Sequence, residues 1–428
     1  MIGRLRRPFN EQFTPARYAA LQALVEAKSG TPVAFRVAET PVFVPLELLE
    51  RMATAGAEMT QSLLADAEYL DAARRAIPAG YRVAGETEHP NFLTADFALV
   101  QSPQGELVPR LVELQAFPSL YGLQVALCAA YREAYQLPQE LGIFLSGLDE
   151  TRYWELLHQT VVGDCDPKHV VLSEVDPLHQ KTLPDFLITT QRLGIKLVDI
   201  ADIEAVGTKL HYRDEAGRLL PIDRMYNRAI ADELMARRIA LNFDLERPWD
   251  VEWAGHPNWY FLISKFSVPW LASRKEGQGV VPPAVFLDDF IAGAGRKVLE
   301  AAGVPLPGQH GPEAVYEELL LKPLFSFAGR GIVFAPNGAQ LASIPAEERR
   351  NYLVQQRMRF VPTVETPHGM TQAEFRILYL WPDGGELTPA LSLARLGRGK
   401  MMGVDHNKNQ AWVGASAAFY PMDELEAG

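Results

Sequence analysis

Cys128 and Cys165 are the only cysteines in 428 residues. Two thiols build neither a disulfide framework nor a cysteine-rich zinc site, and the nine histidines show no metal-ligand spacing. Cys128 lies in the apolar segment VALCAAY and reads as core. No apolar run approaches the length of a membrane span. The opening MIGRLRRPFN has basic residues but not the apolar stretch of a secretory signal, so a cytoplasmic location without a membrane partner is the expectation. Basic excess is also missing: 41 Lys and Arg face 53 Asp and Glu, for a net charge of −12. That argues against a nucleic acid as the main partner. There is no Ser/His/Asp or Cys/His arrangement, no GxxxxGK[ST] P-loop and no Rossmann glycine fingerprint.

What is present is an ordinary globular balance, 48% hydrophobic and 22% charged, in a chain long enough for two or three domains. The first hundred residues have helical spacing, in PARYAALQALVEAK and LELLERMATAGAEMTQSLLADAEYLDAARRAI. A hairpin follows, with strands over 95–101 and 107–115 joined by the turn SPQGE, and then a helix over LYGLQVALCAAYREAYQL. From about 138 the pattern alternates. LGIFLSGL, HVVLSEV and IKLVDIADI read as strands, TRYWELLHQTVV and KTLPDFLITTQRLG as helices. Apolar strands alternating with helices predict a parallel sheet covered by helices, which ends near PIDRMYNR. After 250 come the aromatic segment HPNWYFLISKF, read as a strand around Lys265, and the helical segment AVFLDDFIAGAGRKVLEAAG. Strand NYLVQQRMRFV and a hairpin of AEFRILYLW with LTPALSLARLG follow.

The stretch LLLKPLFSFAGRGIVF, 319–334, carries the strongest chemical signal. It reads as strand, glycine loop, strand. Glycine permits positive φ and close approach, so successive N–H groups can converge on one anion. Lys322 enters the loop, and Ser326, Gly329, Arg330 and Gly331 lie in it; together they suggest a phosphate cradle. Gln355 and Gln356 end a later strand with amides suited to an adenine edge. Glu374 and Arg376 are two apart on a strand and so share a face. They offer a metal or ribose ligand and a phosphate clamp, and Arg395 on the paired strand could join them. Alone, an E-x-R on a sheet is most often a solvated ion pair. In the 95–115 hairpin, Asp96, Glu113 and Gln115 supply two carboxylates and an amide oxygen, hard ligands suited to Mg²⁺ held along with phosphates. Alone, such a hairpin is mostly surface.

Together the two sets resemble the halves of the ATP-grasp site: a strand lysine, a glycine lid, an adenine hinge and an acid-x-arginine strand, with an Asp…Glu-x-Asn metal hairpin. Here the metal hairpin precedes the rest. That order resembles a circularly permuted ATP-grasp of the glutathionylspermidine synthase-like kind, over most of the chain. The resemblance implies an α/β (α+β) fold in three parts. Residues 1–137 would form a helical region with the metal hairpin, 138–250 a Rossmann-like pre-ATP-grasp domain, and 251–428 the nucleotide-binding lobes. It implies ATP and Mg²⁺, and an ATP-dependent ligase that joins small-molecule or peptide carboxylate and amine substrates through an acylphosphate. A kinase acting on a small-molecule acceptor and a non-catalytic nucleotide-binding regulator are the alternatives. Gln115 stands where the family has Asn. The family's second phosphate lysine is matched by Lys265, with Lys275 as the alternative.

Other polar groups have two readings. Asn227 and Arg228 close an apolar run, where open α/β sheets bind ligands. Arg228 is thus a candidate for a substrate carboxylate, or else a helix-start arginine. His256, Asn258 and Trp259 line a packed aromatic segment. Lys400, Asn407 and Lys408 face an acceptor pocket or form a loop.

Overall fold

A computed structural model describes residues 1–118, 120–325, 330–400, 402, 407 and 409–422. Local chemistry sets the N-terminal helices. Thr14 caps helix Pro15–Ser29 by accepting from the Arg17 N–H, proline holds its first position, and Gly30 ends it at φ 72°. The long apolar run 46–77 is two helices, Leu46–Leu64 and Ala67–Arg75, because the Asp66 side chain caps the second by accepting from the Tyr69 N–H.

An eight-stranded sheet is the centre. Its main path runs Val42–Phe43, Gly414–Pro421, Thr388–Gly397, Gly369–Leu380, Phe92–Gln101, Leu107–Gln115, with Pro362–Thr366 and Leu141–Gly142 paired at its margins. The first pair is parallel and the others antiparallel. One face carries Ala95, Phe97, Leu114, Phe375 and Ile377, buried beneath helix Leu46–Leu64. The helix comes so close that a Cβ on Gly56 would stand 2.1 Å from the Tyr379 hydroxyl, which itself donates to the Ala53 carbonyl at 2.8 Å. The opposite face is divided. Phe92, Leu378, Leu380, Leu391 and Leu393 pack with helix Tyr121–Tyr135 at one end, and the other end is charged.

The parallel sheet has the order Glu252–Ala254, Arg224–Asn227, Val170–Glu174, Lys196–Asp199. Helix Leu183–Leu193, ended by Gly194 at φ 72°, packs beside it. Two of the expected strands are there, and LGIFLSGL is not the third. Only Leu141–Gly142 is strand, and it joins the central sheet antiparallel to Gly414–Pro421. An apolar run alone does not choose its partner. A third, antiparallel sheet holds Ala284–Phe286, Tyr352–Gln356, Leu319–Pro323 and Val333–Phe334 in that order. The segment AVFLDDFIAGAGRKVLEAAG therefore begins as strand and becomes helix only at Leu287. The aromatic segment around Lys265 is not a strand either. Helices Trp259–Leu262 and Ser267–Ala272 flank it, and the Ser264 and Ser267 hydroxyls donate to the Phe261 and Ser264 carbonyls, which favours the turn over an extended chain. Among the described residues no helix is long and apolar enough to cross a membrane.

Candidate functional site

Strand register assembles the site. Glu113, Asp96 and Arg376 lie directly opposite one another on three neighbouring strands, and Glu374 lies opposite Arg395 one row along. Opposed residues and i,i+2 residues share a face, so these five project from the charged end of the divided face. A register shift between Asp96 and Phe97, where Val112 is left over, brings Asp96 level with Glu113.

Asp96 is gripped from two strands. Arg376 Nε donates to Oδ1 at 2.6 Å and Nη2 to Oδ2 at 2.7 Å. Arg395 Nη2 also donates to Oδ2 and stands 3.1 Å from Glu374 Oε1. Burial would raise the Asp96 pKa, but the two guanidiniums outweigh it and hold the carboxyl below its ordinary value. Burial wins at Glu374, whose pKa is raised with Arg395 offsetting only part of the effect.

The opposing wall is the third sheet. Lys322 and Gln355 share one of its faces, since Leu320, two residues before Lys322, lies opposite Gln355. Both are buried. Lys322 lies within the electrostatic reach of Glu113, Glu374 and Lys265. Burial lowers its pKa to about 8, Glu113 and Glu374 acting against the shift and Lys265 with it. Lys265 Nζ is 3.0 Å from Glu113 Oε1. Residues more than two hundred positions apart thus meet between two sheets, with two lysines and two arginines set among three carboxylates.

Among the described residues, 13 buried side-chain polar atoms have no hydrogen-bond partner. Five fall on residues singled out from the sequence: Gln355 Nε2, Arg395 Nε, Arg228 Nε and Nη1, and Glu113 Oε1, the last of which still has the Lys265 ammonium 3.0 Å away. Such atoms are costly in a native interior, and their concentration here marks surfaces built for something else to touch.

Those atoms bear on a cation. Asp96 Oδ2 accepts two hydrogen bonds, but Oδ1 accepts one and keeps a lone pair. Glu113 Oε1, which Lys265 Nζ approaches to 3.0 Å, is the second hard oxygen, on the opposed residue. Two protein ligands, with phosphate and water, suit Mg²⁺, so the residues fit the ion. Gln115 lies one row away, opposite Thr94. Among the described residues no group of three His, Cys, Asp or Glu side chains converges in a metal cluster.

The other candidates divide. Gln356 shares the face of Leu319 and Leu321, away from Lys322. Lys275 is exposed, on a short turn of helix, whereas Lys265 is in the site. Gly331 has φ 76° and Arg330 is exposed beside it; Ser326, Gly329 and Lys408 lie outside the described residues. Lys400 is exposed, and Asn407 is buried, its Oδ1 accepting from the Arg398 N–H. His256, Asn258 and Trp259 all bond to segment 83–87: His256 Nε2 to the Ala84 carbonyl, Asn258 to Val83 and Glu86, Trp259 Nε1 to Thr87. Burial lowers the His256 pKa to about 4. These three hold a loop in place.

Arg228 lies apart from the central cluster, just past the C-terminal end of strand Arg224–Asn227. Its guanidinium carbon is 4.8 Å from the Phe117 ring centre and 5.3 Å from that of Phe186. Phe117 in turn packs edge-on to Tyr260 at 6.0 Å, whose hydroxyl donates to Asp232 at 2.8 Å. Glu174 and Asp185, both buried, face Arg228. Sequence reasoning missed Glu174, although its signal was the same as for Arg228: a charge at the end of an apolar parallel strand.

No family model matches the chain, and no curated protein matches it in sequence. Solved structures do match. One is a glutathione synthetase-like effector, GSS30, from Globodera pallida, described in its apo form, with a TM-score of 0.54 and 12% identity over 96% of this chain and 98% of that one. The likeness is one of fold. It spans nearly the whole of both chains, so the mixed α/β arrangement of several sheets is shared as a unit and not as one domain.

Proposed function

We propose that this chain is an ATP- and Mg²⁺-dependent ligase that joins a carboxylate to an amine through an acylphosphate, on a circularly permuted ATP-grasp scaffold. The observation that carries the reading is the meeting of Asp96 and Glu113 with Lys322, Glu374, Arg376 and Arg395 between two sheets. The likeness to a glutathione synthetase-like protein supports the same choice of fold.

In this reading Lys322 and Lys265 hold phosphate oxygens from the side of the small sheet. Gln355 offers its unpartnered amide nitrogen to the base. Arg376 and Arg395 are fixed by Asp96, so their cationic faces are in place before any charge develops, which is where preorganised groups gain most. Glu113 and one oxygen of Asp96 would hold Mg²⁺, which would supply positive charge to offset that of the phosphates. The walls exclude water that would otherwise hydrolyse an acylphosphate. Phosphoryl transfer asks for little more than this positioning and neutralisation.

A second reading has one observation in its favour. Asp96 is already satisfied by two arginines, an arrangement that would also suit a nucleotide-binding protein without turnover. Two measurements separate the readings. Calorimetric titration with a Mg²⁺–ATP analogue should show binding that Lys322→Ala weakens at least tenfold. Incubation with ATP and pooled amines and carboxylates should release ADP and phosphate. Binding without release selects the second reading; a stable phosphorylated product would indicate a kinase. No nucleotide binding refutes both readings.

A further inference from the structure

The C-terminal end of the parallel sheet holds a second cluster that ATP does not explain. Arg228 is 4% exposed, and its Nε and Nη1 have no hydrogen-bond partner. Its backbone N–H donates to the Ser173 carbonyl at 2.8 Å, which brings the next residue, Glu174, alongside it. The acids here are not alike. Asp185 is committed to the start of helix Tyr121–Tyr135, accepting from the Leu120, Gly122 and Leu123 N–H groups. Glu174 accepts a single hydrogen bond, from its neighbour Val175. Burial raises the Glu174 pKa to about 8, with Arg228 too weak an influence to cancel it.

An unpartnered guanidinium asks for an anion, and an acid that a nearby guanidinium does not satisfy asks for a cation. Stacking between two phenylalanines leaves the Arg228 edges as the groups that can bond. Phe117, half-buried, covers one face and continues through Tyr260 and Asp232 towards Lys265, whose charge reaches Asp232. The cluster therefore connects with the central site.

We infer that this end of the parallel sheet is a subsite for a small zwitterion, a free amino acid or short peptide, with Arg228 taking its carboxylate and Glu174 its ammonium group. The subsite depends on the ligase reading only for its use as an acceptor or donor in the reaction; its ligand class rests on Arg228 and Glu174. Phe117 must turn aside for the ligand to reach the guanidinium.

The test is calorimetric titration of the full chain with glycylglycine, propionate and putrescine. Glycylglycine should bind saturably, and propionate and putrescine, each with one half of the charge pattern, at least ten times more weakly. Arg228→Gln should weaken glycylglycine at least tenfold, and Glu174→Gln should erase its advantage over propionate. Circular dichroism checks that each variant is folded, and either variant alone tests the assignment. Equal binding of glycylglycine to wild type and a folded Arg228→Gln, equal binding of propionate, or no saturable binding of any probe would overturn it. Nucleotide titration reads the ligase proposal separately: loss of one kind of binding leaves the other standing.

Discussion

Arg224 and Arg228 belong to the same stretch of chain and are buried to the same degree, yet they are treated in opposite ways. Arg224 opens its strand, and all its nitrogens are used. Nε donates to the Val161 carbonyl at 3.0 Å and Nη1 to Glu252 at 2.7 Å, while Nη2 reaches the Thr160 carbonyl at 3.1 Å and Asp383 at 2.7 Å. Asp383 lies in the turn between two central strands, so Arg224 ties the parallel sheet to the central one. Arg228 follows the other end of the strand and has aromatic rings where acceptors would be. The fold is able to satisfy a buried guanidinium fully and does so where the guanidinium holds two sheets together. Where it does not, a ligand is the economical explanation. The central cluster lies between these cases: Asp96 is saturated on one oxygen and Glu113 Oε1 has Lys265 3.0 Å away, while Gln355 and Arg395 keep an unpartnered atom each.

If saturation marks a structural role, removing a saturated group should cost stability. The largest effect is expected at Asp96. Asp96→Ala leaves two guanidiniums facing each other in a dry site, and should lower unfolding stability by about 3–5 kcal/mol in chemical denaturation. Arg224→Ala strands the Thr160 and Val161 carbonyls, while Glu252 and Asp383, both more than half exposed, can rehydrate. A loss of about 1–3 kcal/mol is expected, again read by denaturation.

At Lys322 the effect should depend on pH. The folded-state pKa near 8 is below the ordinary 10.5. The cation is present below pH 8 and lost above it, so affinity for a triphosphate should fall roughly tenfold from pH 7 to pH 9.5, on the order of one charge-assisted contact. Lys322→Arg, which does not titrate in this range, should flatten the profile. The folded state also releases this proton before the unfolded chain does, so the Lys322 contribution to stability rises with pH between about 8 and 10.5. The smallest change is expected at Arg228. Arg228→Met removes a buried charge that has no hydrogen-bonded partner on two of its nitrogens, and should alter stability by less than about 1 kcal/mol. A loss as large as that at Arg224 would break the comparison.

Much of the site was legible because β-structure has a period of two. Alternation alone places Glu374 with Arg376 and Glu113 with Gln115 on common faces, and the hairpin 92–115 brings Asp96 beside Glu113. Register was not legible. That Asp96 falls opposite both Glu113 and Arg376 depends on the leftover Val112 and on pairing between strands some 280 positions apart. Lys265 was picked out, but on a strand; the serine hydroxyls that fold its segment into helical turns compete locally with extension, and the aromatic pattern hides them. Leu141–Gly142 shows the same limit, since hydrophobicity says that a strand is buried but not against which sheet. The second cluster was half legible. Arg228 stood out at the end of an apolar run, whereas Glu174 acquires meaning only when its strand is placed beside that of Arg228.

The central claim is that residues from opposite ends of the chain surround one triphosphate. A crystal structure with a non-hydrolysable ATP analogue and Mg²⁺ tests it directly. The account predicts phosphates between Lys322 and Lys265 on one side and the Glu113–Asp96–Arg376 row on the other, with the base at Gln355. A nucleotide bound elsewhere, or a space between the two sheets that stays closed to it at saturating concentration, would contradict the account.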